Sequence, residues 1–221
     1  DLHKEYRRQR QMCIRDRFRT MLEHLPDQVT MRKKKPITIN QIRRMDFPRG
    51  LLGLRDKALL LLGFATGMRR SEIAAVKKEH IEETEFGLRI RIPQSKSDQL
   101  GEGGSVDVIK AAMGRNQKHC PVKNVQELMG ENPYEHLFVR VRRVNTPGGY
   151  RKSKMLSEPN RFIDRPLDGN GVYRIIKKYG AQVGLTPDDL GGHSLRAGCA
   201  TYLLEKEVSP SAVQKLSLIH I

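Results

Sequence analysis

The residues with the most chemical character in this chain are cations set where an anion could dock. In Gly191-Gly192-His193-Ser194-Leu195-Arg196-Ala197-Gly198, two glycines precede an apolar-periodic run that continues through Cys199, Ala200, Leu203 and Leu204. A helix is expected to begin near Ser194, with Leu195, Ala200, Leu203 and Leu204 as its apolar side. His193 and Arg196 then stand at its N-terminal mouth, where unpaired N–H groups and the helix dipole already favour an anion. A cation in a first turn is poorly placed for stability alone. It is well placed for a phosphate held jointly by the helix end, an imidazole and a guanidinium. An isolated H-x-x-R is more simply a cap-like histidine and a solvated arginine, so the assignment depends on the rest of the chain.

Two further cationic stretches qualify. Met68-Arg69-Arg70-Ser71-Glu72-Ile73 is a tight turn into a short helix. One arginine can complement the C-terminal dipole of the helix before it. The other is left over, and Glu72 stands three residues after Arg69, near enough to orient it. Pro93-Gln94-Ser95-Lys96-Ser97-Asp98-Gln99 lies between two alternating segments, residues 88–92 and 105–109, which have the pattern of paired strands; Lys96 would sit at the tip of a mobile hairpin. A hairpin lysine by itself is usually just solvated.

The elements that must carry these groups are mostly helical in pattern. Residues 51–66 are apolar nearly all round, the mark of a central buried helix, and Gly67 should end it. Thr38 or Asn40 should cap a helix through Met45. Residues 18–29, 121–129 and 170–183 have helical spacing, the last with Val172, Ile175, Ile176, Tyr179 and Val183 on one side. Residues 136–141 fit an extended segment, Pro187-Asp188-Asp189 a capping turn, and residues 209–215 the start of one more helix. The basic run Arg32-Lys33-Lys34-Lys35 before Pro36 is expected to be solvated or to lie along a polyanion backbone. Arg140, Arg142, Arg143, Arg151, Lys152 and Lys154 surround Pro147-Gly148-Gly149 and are expected to form a flexible basic loop near DNA.

Composition narrows the class. With 41 Lys and Arg against 25 Asp and Glu, the 221-residue chain carries a formal charge of +16, which on a folded domain points first to nucleic acid. The longest apolar run, residues 58–65, is interrupted by Gly63 and far too short to span a bilayer. No secretory signal is visible and three cysteines form no disulfide framework, so a reducing, cytoplasmic setting is expected. Cys120 beside His119 lacks the partner spacing of a zinc site.

Met12-Cys13-Ile14-Arg15-Asp16-Arg17 and Leu216-Ser217-Leu218-Ile219-His220-Ile221 can be encoded by opposite strands of one short DNA read in different frames. Both are expected to derive from a sequencing adapter and are set aside as one sets aside a cloning scar. On that expectation residues 1–36 are an N-terminal remnant and basic linker, residues 37–215 the folded domain, and residues 216–221 adapter.

In order along the chain, Leu54-Arg55-Asp56-Lys57-Ala58-Leu59-Leu60, Thr66-Gly67-Met68-Arg69-Arg70-Ser71-Glu72-Ile73, Ser95-Lys96-Ser97-Asp98-Gln99 and Gly192-His193-Ser194-Leu195-Arg196-Ala197-Gly198 resemble blocks of the tyrosine recombinase, or phage integrase, catalytic domain. Four blocks in order with suitable gaps make the resemblance specific. It implies a mainly α fold with a small antiparallel β-sheet (α+β). It also implies site-specific recombination or integration of double-stranded DNA through a 3′-phosphotyrosyl intermediate, with no metal or other cofactor and no membrane, by a homo-tetramer on paired sites.

Carried over residue by residue, Arg69 resembles the first catalytic arginine and Arg196 the second, Lys96 the hairpin lysine, His193 the histidine of H-x-x-R, and Glu72 the carboxylate that orients the site. Arg70 falls at a variable position. Two guanidiniums can clamp both non-bridging oxygens of a pentacoordinate phosphate without a metal. Lys96 is suited to protonate the departing 5′-oxygen and His193 to hydrogen-bond the phosphate or move a proton. The covalent intermediate stores the bond energy. The family's nucleophilic tyrosine follows this helix by a few tens of residues and is expected to lie beyond the chain's end. Tyr202, among Leu203 and Leu204, is expected to be structural.

Two other classes compete. A non-catalytic, sequence-specific DNA-binding module would use the same basic face but has no need of Arg69, Lys96, His193 and Arg196 together. A metal-dependent nuclease or transposase needs clustered carboxylates, and Asp188-Asp189 fits a turn instead. The 221-residue chain is expected to bind DNA weakly, with strong salt dependence, and not to cut it. Strand cleavage by the chain alone, followed on a labelled duplex, would refute that expectation.

Overall fold

A helix that is apolar on every side has no face to offer water, and this chain surrounds it. The computed structural model describes residues 34–92, 104–109, 117–142 and 161–209, and from Lys34 onward the chain forms one unit. Its first helix, α1 (Ile39–Arg44), opens on a capping box: the Thr38 hydroxyl accepts from the Gln41 N–H while the Gln41 side chain accepts from the Thr38 N–H. The cap is therefore Thr38 and not Asn40. The central helix, α2 (Leu51–Thr66), buries every residue from Ala58 to Phe64. Gly67 ends it in the left-handed region at φ 60°, where only glycine is unstrained.

A short helix, α3 (Arg70–Ala75), follows directly. After a 3₁₀ turn at Lys78–His80 come β1 (Ile81–Thr84), β2 (Gly87–Ile92) and β3 (Gly104–Ile109), an antiparallel sheet in the order β1-β2-β3. Leu88 faces Val108 across the second ladder and Ile90 faces Val106, with Leu88, Ile90 and Val108 buried. On the solvent side the Arg89 Nε donates to Asp107 at 2.8 Å. Next are α4 (Pro121–Glu131), a β4 (Val139–Arg142) and β5 (Arg161–Pro166) ribbon, α5 (Gly169–Gln182) and α6 (Ser194–Glu205). Helix α2 packs against α4 and α6, and α3 against α5. No helix among the described residues is long and apolar enough to cross a membrane.

The strands β1 and β5 were not expected from the sequence. In β1 only Ile81 and Thr84 are even partly covered, and in β5 only Phe162 is buried. Neither carries an alternating apolar face; each exists because a neighbouring strand offers a ladder. The apolar side expected for α6 also needs correction. Its buried residues are Ser194, Leu195, Arg196, Gly198 and Cys199, whereas Leu204 is 44% exposed and Tyr202 38% exposed. The side of the helix that turns inward is the one carrying the arginine. The expected elements over residues 18–29, the Lys96 hairpin tip, the basic loop over 143–154 and the helix from 209 on lie outside the described residues, Ser209 apart.

One charged cluster is buried inside the helical packing. Arg55, 6% exposed, donates Nε and Nη2 to Asp56 Oδ1 at 2.9 and 2.5 Å and Nη1 to the Val139 carbonyl of β4 at 3.2 Å. Asp56 Oδ2 accepts from the Tyr179 hydroxyl of α5 at 2.9 Å and from Lys178 at 3.3 Å. Burial, and then the Asp56 charge, push the Tyr179 phenol well above its ordinary range, so it stays a donor. The cluster ties α2 to β4 and α5. Removing Asp56 strands a buried guanidinium, so Asp56→Ala should cost about 3–5 kcal/mol, against about 1 kcal/mol for Tyr179→Phe. Urea unfolding midpoints measure both; equal costs would show that Asp56 is not the hub.

Candidate active site

The C-terminal end of α2 assembles the site. Gly67 N–H closes on the Gly63 carbonyl, the Thr66 hydroxyl donates to the Leu62 carbonyl, and Met68 N–H donates to the Thr66 hydroxyl. This knot turns the chain so that Arg69, in extended conformation, becomes the N-cap of α3. Glu72 then holds Arg69 at both ends: its Oε2 accepts from the Arg69 backbone N–H at 2.8 Å and its Oε1 pairs with Nη1 at 2.7 Å. The carboxylate also complements the positive end of its own helix. It is 8% exposed, so the pairing is sheltered from solvent.

Arg196 comes to the same place from α6. It is 6% exposed, and its Nη1 donates to the Gly67 carbonyl at 3.3 Å. A cation in the first turn of α6 is thus compensated by another helix, because it lies against the negative C-terminal end of α2. Burial, then the Arg69 charge, lower its pKa, and Glu72 works in the opposite direction. A guanidinium tolerates such a shift and keeps its proton at neutral pH. Beside it, burial pushes the Cys199 thiol up to about 11, leaving it a neutral packing group at physiological pH.

His193 is the N-cap of α6 and is exposed, with no cap hydrogen bond from its side chain. Ser194 supplies the local bonding instead: its hydroxyl accepts from the Gly191 N–H at 2.9 Å. Arg69, Glu72 and Arg196 therefore meet around Gly67, and His193 stands at the mouth of the same helix as Arg196. Lys96 lies outside the described residues. Tyr202 sets its ring edge-on against Phe64 with centroids 5.9 Å apart, and borders a groove between α1 and α6. Among the described residues no three His, Cys, Asp or Glu side chains come together in a set able to hold a metal ion.

Sequence reasoning missed a brace around this mouth. Lys34 and Lys35 are exposed but turned onto the protein. Lys34 Nζ donates to the Asp188 carbonyl at 2.6 Å, Lys35 N–H to the Asp189 carbonyl at 2.7 Å, and Lys35 Nζ pairs with the Asp189 carboxylate at 3.1 Å. Ile37 N–H then donates to the Ser194 carbonyl at 3.0 Å. The Asp188-Asp189 segment is a turn, as expected, with Asp189 Oδ2 accepting from the Thr186 N–H. A signal was available in the small residue Gly198, because a Cβ there would fall 1.9 Å from the Ile37 carbonyl oxygen. A charge run, in contrast, does not announce its partners.

The chain belongs to the phage integrase family, whose model matches residues 35–217. Among curated relatives it is 30% identical over 167 residues to the integrase/recombinase xerD homolog of Selenomonas ruminantium, covering 75% of this chain and 44% of that protein. The chain spans about half the length of the curated relatives it matches. Its fold is that of the XerH site-specific recombinase bound to palindromic difH substrate, with a TM-score of 0.58 at 16% identity over 86% of this chain and 48% of that one. A lambda integrase tetramer bound to a Holliday junction matches with a TM-score of 0.51 at 17% identity, over 83% and 46% of the two chains.

Gly198→Ala tests the brace. The added methyl cannot sit 1.9 Å from a carbonyl oxygen, so residues 35–37 must lift from α6 at a cost of about 1–3 kcal/mol. A lower melting temperature with faster amide hydrogen exchange at Ile37 is the expected outcome; unchanged exchange at Ile37 would show that the brace does not depend on this contact.

Proposed function

We propose that this chain is the catalytic domain of a site-specific DNA recombinase, occupying residues 37–215, that cuts and rejoins double-stranded DNA by metal-free transesterification. The observation that carries the reading is the convergence of two guanidiniums, Arg69 and Arg196, on the end of one buried helix, with Glu72 paired to Arg69 and near enough to act on the charge of Arg196. Two guanidiniums brought together in a sheltered site suit a phosphate diester whose non-bridging oxygens gain charge on attack. The net charge of +16 and the family membership support the same substrate.

In this mechanism a tyrosine hydroxyl of the complete protein attacks phosphorus. A phosphotyrosyl P–O bond forms as the bond to the 5′-oxygen breaks, and Lys96 gives that oxygen its proton. His193, exposed beside Arg196, hydrogen-bonds a non-bridging oxygen or carries the proton of the attacking hydroxyl. Tyr202, whose ring packs edge-on against Phe64, is read as a packing residue and not as the nucleophile. Attack by a 5′-hydroxyl from the partner duplex reverses the step and needs no ATP. The lambda integrase tetramer on a Holliday junction supports a homo-tetramer on paired sites as the working assembly, and nucleoid association follows from such a substrate.

The test uses the full polypeptide encoded by the gene, with nicked duplexes drawn from a random-sequence pool. A covalent protein–DNA adduct is expected to form in the presence of a chelator, and Arg69→Ala or Arg196→Ala should each slow its formation by about 10²-fold or more. Cleavage that requires a divalent metal, or a complete protein that binds DNA and never forms the adduct, would overturn the reading.

A further inference from the structure

Arg70 stands next to Arg69 but points elsewhere. It is exposed at the first position of α3, and among the described residues no carboxylate bonds or pairs with it. Its stem runs through a slot between two glycines. A Cβ on Gly192 would lie 2.8 Å from Arg70 Cδ and 3.2 Å from Nε, and one on Gly169 would lie 3.5 Å from Cγ. Its guanidinium carbon is 5.7 Å from the ring centroid of Tyr173, on α5. The same ring carries Lys177 Nζ at 4.5 Å. The ring is itself fixed, because the Tyr173 hydroxyl donates to the Leu190 carbonyl at 3.2 Å, one residue before the Gly191-Gly192-His193 mouth.

Two cations on one aromatic ring repel each other, and the ring's quadrupole compensates only part of that repulsion. Asp168 in this corner caps α5, where it accepts from the Gly171 N–H at 2.8 Å, and its charge acts on Arg174 and Arg140 and not on Arg70 or Lys177. A row of cations therefore runs from Arg196 past Arg70 to Lys177. A single scissile phosphate cannot neutralise that row. A strand of DNA can, since it presents a phosphate at every nucleotide.

We propose that Arg70 binds the backbone phosphate next to the scissile one, and that Tyr173 is the positioning residue that holds its guanidinium once the stem has passed between Gly169 and Gly192. This rests on the reading of the chain as a DNA-strand transferase. Contact with the ring and the glycine slot pre-positions the cation before DNA arrives and lessens the side-chain entropy lost on binding. The contact reads no base, so it adds affinity and register without sequence preference.

The alternative role, a packing strut between α3 and α5, is separated by Arg70→Met, which keeps the stem and removes the charge. Binding of the 221-residue chain to a generic duplex is measured by fluorescence anisotropy as a function of salt, with thermal melts as a check on folding. Arg70→Met should melt with wild type but bind with a salt slope shallower by about 0.9. The advantage of wild type then shrinks about three- to fourfold between 50 and 200 mM salt. Arg70→Lys should keep the slope. Tyr173→Leu should weaken binding in the wild-type background and add nothing in the Arg70→Met background. Wild type that binds with the same slope and affinity as Arg70→Met would overturn the inference and leave the DNA reading standing. Wild type that does not bind duplex at all would overturn both.

Discussion

A buried helix must do something with its last carbonyls, and here the end of α2 gives one of them to a guanidinium. The Gly67 carbonyl takes Arg196 from α6, and the left-handed turn at Gly67 sends Arg69 out at the start of α3. The rest of the site depends on that junction. Arg196 can be buried because the negative end of a helix faces it, and Arg69 can stand beside it because Glu72 lies within reach of both charges. Moving α2 by a fraction of a turn would separate the two cations and leave an uncompensated charge inside the protein. The Arg55–Asp56–Tyr179 cluster opposes such movement near the other end of the helix.

Some of the charge in this protein is used to hold the fold. Lys34 and Lys35 are spent on the Asp188-Asp189 turn, where they brace the segment that presents His193. Arg55 is spent on Asp56. Arg70, Arg174 and Lys177 lie near the same mouth with few acids to meet them, and the excess of cations becomes a surface property there. A large net charge is thus not spread evenly over solvent. Among the described residues, several of these cations stand by helix ends that already favour an anion.

Much of the fold was legible because its signals are local. The all-round apolar pattern of residues 51–66 allows no fate but burial, and α2 has those bounds. Alternation at Leu88-Arg89-Ile90-Arg91-Ile92 and Ser105-Val106-Asp107-Val108-Ile109 marked β2 and β3 and their pairing. What failed was whatever depends on a neighbour. The strands β1 and β5 carry too little apolar surface to be seen without the strands that recruit them. The inward side of α6 was misjudged because Leu203 and Leu204 look like core by type. That direction was already taken by Ser194, Arg196, Gly198 and Cys199 packing against residues 37 and 67.

The sequence by itself determined the chemical inventory: an arginine three before a glutamate, a second arginine three after a histidine, and glycines at the turns that precede them. Residue type and spacing suffice for that, because helix ends and hairpins are built from contiguous chain. The resemblance grouped the two arginines, but only tertiary structure shows how they are brought together, since Gly67 and Arg196 are joined only when α2 and α6 pack. It also decided which cations remain for a ligand. A lysine beside an aspartate turn and an arginine on a tyrosine ring look alike in a sequence, and their difference lies in what the fold places against each charge.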